Sequence, residues 1–244
     1  MPFMSRLCLI ALLTVLTVVP AFSFTFEPMV ATLSPSGPEA VQTFHVANEG
    51  TGRLAVQFAV YSRASSLEGV ELNTDASDLF TIYPTSAFIE PGASASVKLQ
   101  WHGPAHLLVE RCFRFVAQNV ALDAGLAKTS GIKVMFRYVA SVYVGGAAVT
   151  PKLETTVLGT ERKQGENGYT IEIVNNGSRH VVVDSASLEI STPEGNTVQL
   201  DSEQLEFLSG FNYLPGCPVR LFIPRSEAVP GRIYDARLNY EPEF

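Results

Sequence analysis

From Phe24 onward the chain is a nearly continuous series of short runs rich in Val, Ile, Phe, Tyr and Thr, each bounded by Gly, Pro, Asn, Asp or Ser. No stretch repeats apolar residues at the three-and-four spacing of an amphipathic helix. Regular turns between short β-prone runs point to antiparallel sandwiches. In the first half the pattern predicts strands over 40–47, 54–62, 80–83, 94–101, 111–120 and 132–144. In the second half it predicts strands over 155–160, 169–175, 181–190, 197–200, 219–223 and 233–240. The run Gly145-Gly146-Ala147-Ala148-Val149-Thr150-Pro151 interrupts the series and marks a boundary of small residues and proline. The expected fold is all-β, with two immunoglobulin-like sandwiches in tandem over 24–147 and 148–244. Both halves open on a strand followed by an Asn-x-Gly turn, Asn48-Glu49-Gly50 and Asn175-Asn176-Gly177.

Residues 1–23 read as an address rather than as part of the fold. Arg6 supplies the positive start, Leu7 to Val19 the apolar run, and Ala21-Phe22-Ser23 the small residues of a cleavage site. The alternative is a single membrane anchor, but the run falls short of the ~20 residues a spanning helix needs. Cleavage after Ser23 predicts an exported protein with no stable membrane insertion. The leader carries one Arg and no acid, so its loss takes the net charge from −7 to −8. An acidic chain lacks the basic footprint that nucleic-acid binding requires. With 46% hydrophobic and 17% charged residues, the chain has enough apolar material for packed cores. Outside the leader, Cys112 and Cys217 remain. One disulfide in an oxidising compartment and two buried thiols are both open readings.

No catalytic constellation stands out. His45, His102, His106 and His180 are scattered through strands and turns, and no nucleophile elbow, zinc-binding helix, P-loop or dinucleotide fingerprint occurs. The reading is a binding protein rather than an enzyme, with no cofactor and no metal. The run 132–144 is the most distinctive segment. It is long for a strand, it leads into the boundary, and it places Ile132, Val134, Phe136 and Tyr138 on one face and Lys133, Met135 and Arg137 on the other. Such a strand is a platform for adding a partner's strand.

Several of these segments, in order, resemble the PapD-like periplasmic chaperones of pilus subunits. They are Pro84 to Leu99 with its Pro91-Gly92 turn and Val97-Lys98-Leu99 ending, Glu110-Arg-Cys-Phe113-Arg-Phe115, Ile132-Lys133-Val-Met-Phe136-Arg137, Asn175-Asn-Gly-Ser and Leu214-Pro-Gly. The resemblance implies two sandwiches set at an angle, with a subunit bound along the first domain and into the cleft. It implies pilus or fimbrial subunits as partners, an outer-membrane usher, and a periplasmic location. On this reading Lys133 anchors the subunit's terminal carboxylate. The family's second anchor, an arginine on the first strand, has no counterpart in 24–33, and Arg114 on the neighbouring strand takes its place. Leu126, Ile132, Val134 and Phe136 are the expected apolar contacts of the donated strand. Glu110 and Arg137, with Glu227 from the second domain, are expected to fix the interdomain angle. The competing reading is a secreted two-sandwich structural or carbohydrate-binding protein. A sugar binder would present aromatics on loops, whereas the only tryptophan, Trp101, ends a strand.

Overall fold

The computed structural model describes residues 24–120, 135–146, 150–163, 165–192, 195–225 and 233–242. The leader, the 147/148 division, and the predicted site residues Leu126, Ile132, Lys133, Val134 and Glu227 lie outside the described residues.

The described chain is built almost entirely of strands, as the turn-punctuated pattern requires. In the first half they are β1 (Phe24–Glu27), β2 (Val30–Leu33), β3 (Val41–Asn48), β4 (Leu54–Ser65), β5 (Glu71–Asp75), β6 (Phe80–Tyr83), β7 (Ser86–Ile89), β8 (Ser94–Trp101), β9 (Arg111–Asn119) and β10 (Arg137–Val144). One sheet runs β1-β3-β8-β6, and the facing sheet runs β2-β10-β9-β4-β5 with β7 also on β4. The first segment serves both sheets. β1 pairs antiparallel with β3, and after Pro28 β2 crosses over to pair in parallel with the end of β10. The second half holds β11 (Leu153–Lys163), β12 (Glu166–Asn175), β13 (Val181–Ser191), β14 (Thr197–Leu200), β15 (Asn212–Tyr213), β16 (Val219–Pro224) and β17 (Asp235–Pro242). There β11-β12-β16 faces a sheet centred on β13, which pairs with β14, β15 and β17.

Each half buries its own core. The first is strongly aromatic: Phe26 stacks on Phe44 with centroids 5.3 Å apart, and Phe44 and Phe115 lie 4.8 Å apart. Trp101 is buried there too, against Phe80 and Phe113, so it offers no exposed platform to a sugar. The second core is mainly aliphatic, with Ile171, Ile173, Val183, Leu188 and Ile190 fully buried. Alternation inward and outward along β8, and along β13 on either side of the irregularity between Val183 and Ser185 that shifts its phase, produces these cores.

The echo between the halves is structural. Asn48 Oδ1 accepts the N–H of Gly50 at 3.0 Å, and its Nδ2 donates to the carbonyls of Gly52 and Ile89. Asn175 Oδ1 likewise accepts the N–H of Gly177 at 3.0 Å, and its Nδ2 donates to the carbonyls of Arg179 and Tyr213. In both halves a buried Asn at a strand end closes the turn through its own side chain and ties in a distant loop.

Candidate functional site

The odd-numbered face of β10 and the matching face of β9 form the outer surface of the first domain's larger sheet. Register sets the order along it: Tyr143 opposite Cys112, Ser141 opposite Arg114, Val139 opposite Val116, and Arg137 opposite Gln118. The Cys112–Tyr143 end meets the second domain. Cys112, Tyr143 and Leu214 form a small buried cluster, and Cys217 packs against it.

The junction is held by a polar network next to that cluster. Glu110 is buried, accepts the backbone N–H of His180 at 3.0 Å, and lies 2.5 Å from His180 Nδ1. Its own N–H donates to the Ser178 carbonyl at 2.8 Å. The His180 ring stacks on Tyr143, centroids 3.5 Å apart and planes 2° from parallel. Asn212 Nδ2 donates to the Tyr143 hydroxyl at 2.7 Å. The two domains touch a second time at the β4–β5 turn, where the N–H of Arg220 donates to the Leu67 carbonyl at 2.7 Å and Gly69 lies beside Phe211.

A basic cluster lies on the face between these two contacts. Arg114 reaches from β9 to Glu71 at the start of β5, with Nε donating to both carboxylate oxygens at 2.9 and 3.1 Å and Nη2 lying 2.5 Å from Oε2. Its Nη1 donates to Ser141 Oγ on β10. Arg63, on β4, places Nε 2.7 Å from Glu71 Oε2 but off the line of a hydrogen bond, so that contact is ionic. Burial raises the Glu71 pKa, but hydrogen bonds from Arg114 and Asn73 and the charges of both arginines outweigh it and hold the carboxyl down at about 2. Two guanidinium groups against one carboxylate leave one net positive charge, on a protein whose overall charge is negative. The paired donors of Arg114 are already spent on Glu71, and guanidinium groups bind carboxylates through such paired N–H donors.

The structure corrects one of the expected roles. Arg137 does not meet Glu110. It stands opposite Gln118, at the other end of the β9–β10 pair from Glu110, which strand rise makes a separation of about 25 Å. Its guanidinium lies over the Tyr61 ring, 6.0 Å from the centroid. The partner of Glu110 is His180, which no local pattern singled out because the two are seventy positions apart. Phe136, expected as a subunit contact, is half-buried and packs against the edge of the first domain's core, because the even face of β10 continues through Ala140, Val142 and Val144 into that core. The odd face carries the exposed Met135. Sequence reasoning also missed Arg63, Glu71 and Tyr143. Among the described residues no group of three His, Cys, Asp or Glu side chains is placed to hold a metal.

The edge of β10 is the other distinctive feature. β2 covers it only from Ser141 to Val144, the first bond running from the Ser141 N–H to the Met29 carbonyl at 2.8 Å. Outward-pointing groups alternate along a strand, so the N–H groups of Arg137 and Val139 face the same side. Among the described residues no strand pairs with β10 there. Exposed Met29, Val30 and Met135 lie near this edge.

No family model matches the chain, and no curated protein matches it by sequence. Solved structures do. The class 5 fimbriae chaperone CfaA matches with a TM-score of 0.56 at 14% identity, covering 91% of this chain and 100% of that one. The fold is that of the PapD-like fimbrial chaperones. A chain of a chaperone–tip adhesin complex from CFA/I fimbriae biogenesis matches with a TM-score of 0.56 at 15% identity, over 83% of this chain and 90% of its own. A chain of the Salmonella enterica SafA pilin–SafB chaperone complex matches with a TM-score of 0.52 at 12% identity, over 92% and 99%. The PapD-like architecture therefore extends across both sandwiches, and the Arg63–Glu71–Arg114 cluster lies where they meet.

Proposed function

We propose that this protein is a chaperone for pilus or fimbrial subunits, acting in the periplasm after removal of residues 1–23. The observation that carries the reading is the pairing of a PapD-like two-sandwich fold, matched end to end with a fimbrial chaperone, with a basic cluster beside the domain junction. A subunit with an incomplete sandwich exposes a strand edge and a core groove, both aggregation hazards. The edge of β10 that no described strand pairs with supplies backbone hydrogen bonds to such an edge, and Leu126, Ile132 and Val134 supply apolar side chains to the groove. The subunit's terminal carboxylate binds Arg114 and Lys133, with Arg63 adding charge. Exchange for another subunit's strand, at an outer-membrane usher, releases the cargo without a nucleotide.

Co-expression with secreted β-rich subunits, followed by purification on a chaperone tag, tests the reading. Arg114→Ala and Lys133→Ala are each expected to lower subunit recovery at least tenfold, with the chaperone itself still soluble. Unchanged recovery in both variants removes the anchor assignment. Failure of the wild type to retain any fimbrial subunit removes the chaperone reading.

A further inference from the structure

Cys112 and Cys217 belong to different domains, yet they meet at the junction. Cys112 is buried on β9, opposite Tyr143 on β10. Cys217 follows the Leu214-Pro215-Gly216 turn and packs against the cluster of Cys112, Tyr143 and Leu214. That turn is firmly placed. The Cys217 N–H donates to the Leu214 carbonyl at 3.2 Å, the Gly216 N–H donates to the Asn175 carbonyl at 2.8 Å, and Asn175 also bridges to Pro215. Gly216 adopts a φ of 70°, which lets the turn close tightly enough to aim Cys217 back at the first domain. Both cysteines are free thiols in the structure.

We propose that Cys112 and Cys217 form a reversible disulfide that joins the two domains. The oxidant is an external disulfide, from a small thiol or a protein thiol carrier. Cys217 is the more exposed of the pair, so its thiolate attacks first, displacing one carrier thiolate and forming a mixed disulfide. Cys112 then loses its proton to the leaving carrier and attacks the Cys217 sulfur, releasing the second carrier thiol. Two protein thiols lose two electrons and two protons, and one carrier disulfide gains them. Burial, with the neighbouring Glu110 charge adding to it, pushes the Cys112 thiol up to about 12. That slows the reaction of Cys112 with an external disulfide, whereas its attack on the mixed disulfide is intramolecular, and the high effective concentration there offsets its small thiolate fraction. The bond ties β9 to the turn after β15 beside the Glu110–His180 contact, so it fixes the angle of the cleft that holds Arg114. Only the supply of oxidant rests on the export reading; the pairing itself does not.

The full chain, purified reduced, is incubated with oxidised glutathione, unfolded, labelled with N-ethylmaleimide and mapped by mass spectrometry. The expected result is a linked 112–217 peptide pair with neither residue labelled, reverting to two labelled cysteines after dithiothreitol. Cys112→Ser is expected to leave a glutathione adduct on Cys217, whereas Cys217→Ser leaves Cys112 unmodified. The oxidised wild type is expected to melt several degrees above the reduced form, a difference absent in Cys217→Ser. Labelling of both residues after oxidation, or separate glutathione adducts on each, overturns the proposal. Material recovered directly from the bacterial envelope reads the compartment separately. If it is reduced while the purified protein forms the link, the export reading fails and the pairing stands.

Discussion

At the scale of single residues, Glu71 has the clearest electrostatic signature. It lies between Arg63 and Arg114 and is held at about 2. A carboxyl whose folded pKa is depressed stabilises the fold above its unfolded value, and that contribution disappears as pH falls through the folded value. The window for Glu71 therefore runs from its ordinary value of 4.5 down to about 2. Its side chain is 30% exposed, so solvent screens much of the effect, and about 1–2 kcal/mol is expected at pH 6. Urea unfolding of wild type and Glu71→Gln at a series of pH values checks this. The difference between them is expected to be flat above pH 5 and to close toward pH 2; a difference that stays constant across that range sinks the assignment. Arg114 was named from the sequence only through the family resemblance, as the stand-in for the arginine missing from the first strand. Glu71 and Arg63 were not, because β4 and β5 bring them to Arg114 from forty or more positions away. The mistaken Glu110–Arg137 pair has the same origin: residue types can be matched along a chain, but only register shows that Arg137 stands opposite Gln118.

At the scale of elements, the runs that alternate or concentrate β-branched and aromatic residues over several positions all became strands. The five missed strands, β1, β2, β5, β7 and β15, have five residues or fewer, where alternation is a weak signal, although β6 and β14, with four residues each, were still legible. Pro28 further hides β1 and β2 by splitting one segment between two sheets. The predicted long strand over 132–144 is strand only from Arg137 among the described residues. Its edge, unpaired by any described strand from Arg137 to Ala140, makes a sharp prediction. The Val139 N–H points away from β9, so Val139→Pro removes no bond of the β9–β10 ladder, and proline is tolerated on an open strand edge. This variant is expected to keep its far-ultraviolet circular dichroism and lose only a few degrees of melting temperature, yet to recover little subunit in co-expression. Ala140→Pro removes an N–H that faces β9 and adds bulk to a fully buried position; it is expected to unfold the first domain. Equal subunit recovery by Val139→Pro and wild type would show that this edge takes no strand.

At the scale of the whole molecule, two independent cores meet through a small junction. Domains joined by limited contact move relative to each other unless specific interactions prevent it. Here the Glu110–His180 pair, capped by the Tyr143 ring, is the most buried polar element of that junction. Removing the His180 ring leaves the Glu110 side chain, only 2% exposed, short of one hydrogen-bond partner, a loss of roughly 1–3 kcal/mol for a buried polar group left under-satisfied. Gly145 is fitted to the same spot, since a Cβ there would lie 3.2 Å from the Glu110 side chain. Calorimetry of His180→Ala is expected to separate the unfolding of the two domains into resolved transitions, where the wild type unfolds with them coupled. Small-angle scattering of the variant is expected to show a larger radius of gyration. The double variant Glu110→Gln, His180→Ala removes the carboxyl group together with the ring it bonds, so it is expected to recover part of the lost coupling. If His180→Ala unfolds like wild type, the junction is held by the Leu67–Arg220 contact and the Cys112–Tyr143–Leu214 cluster, and the polar network is only their accompaniment.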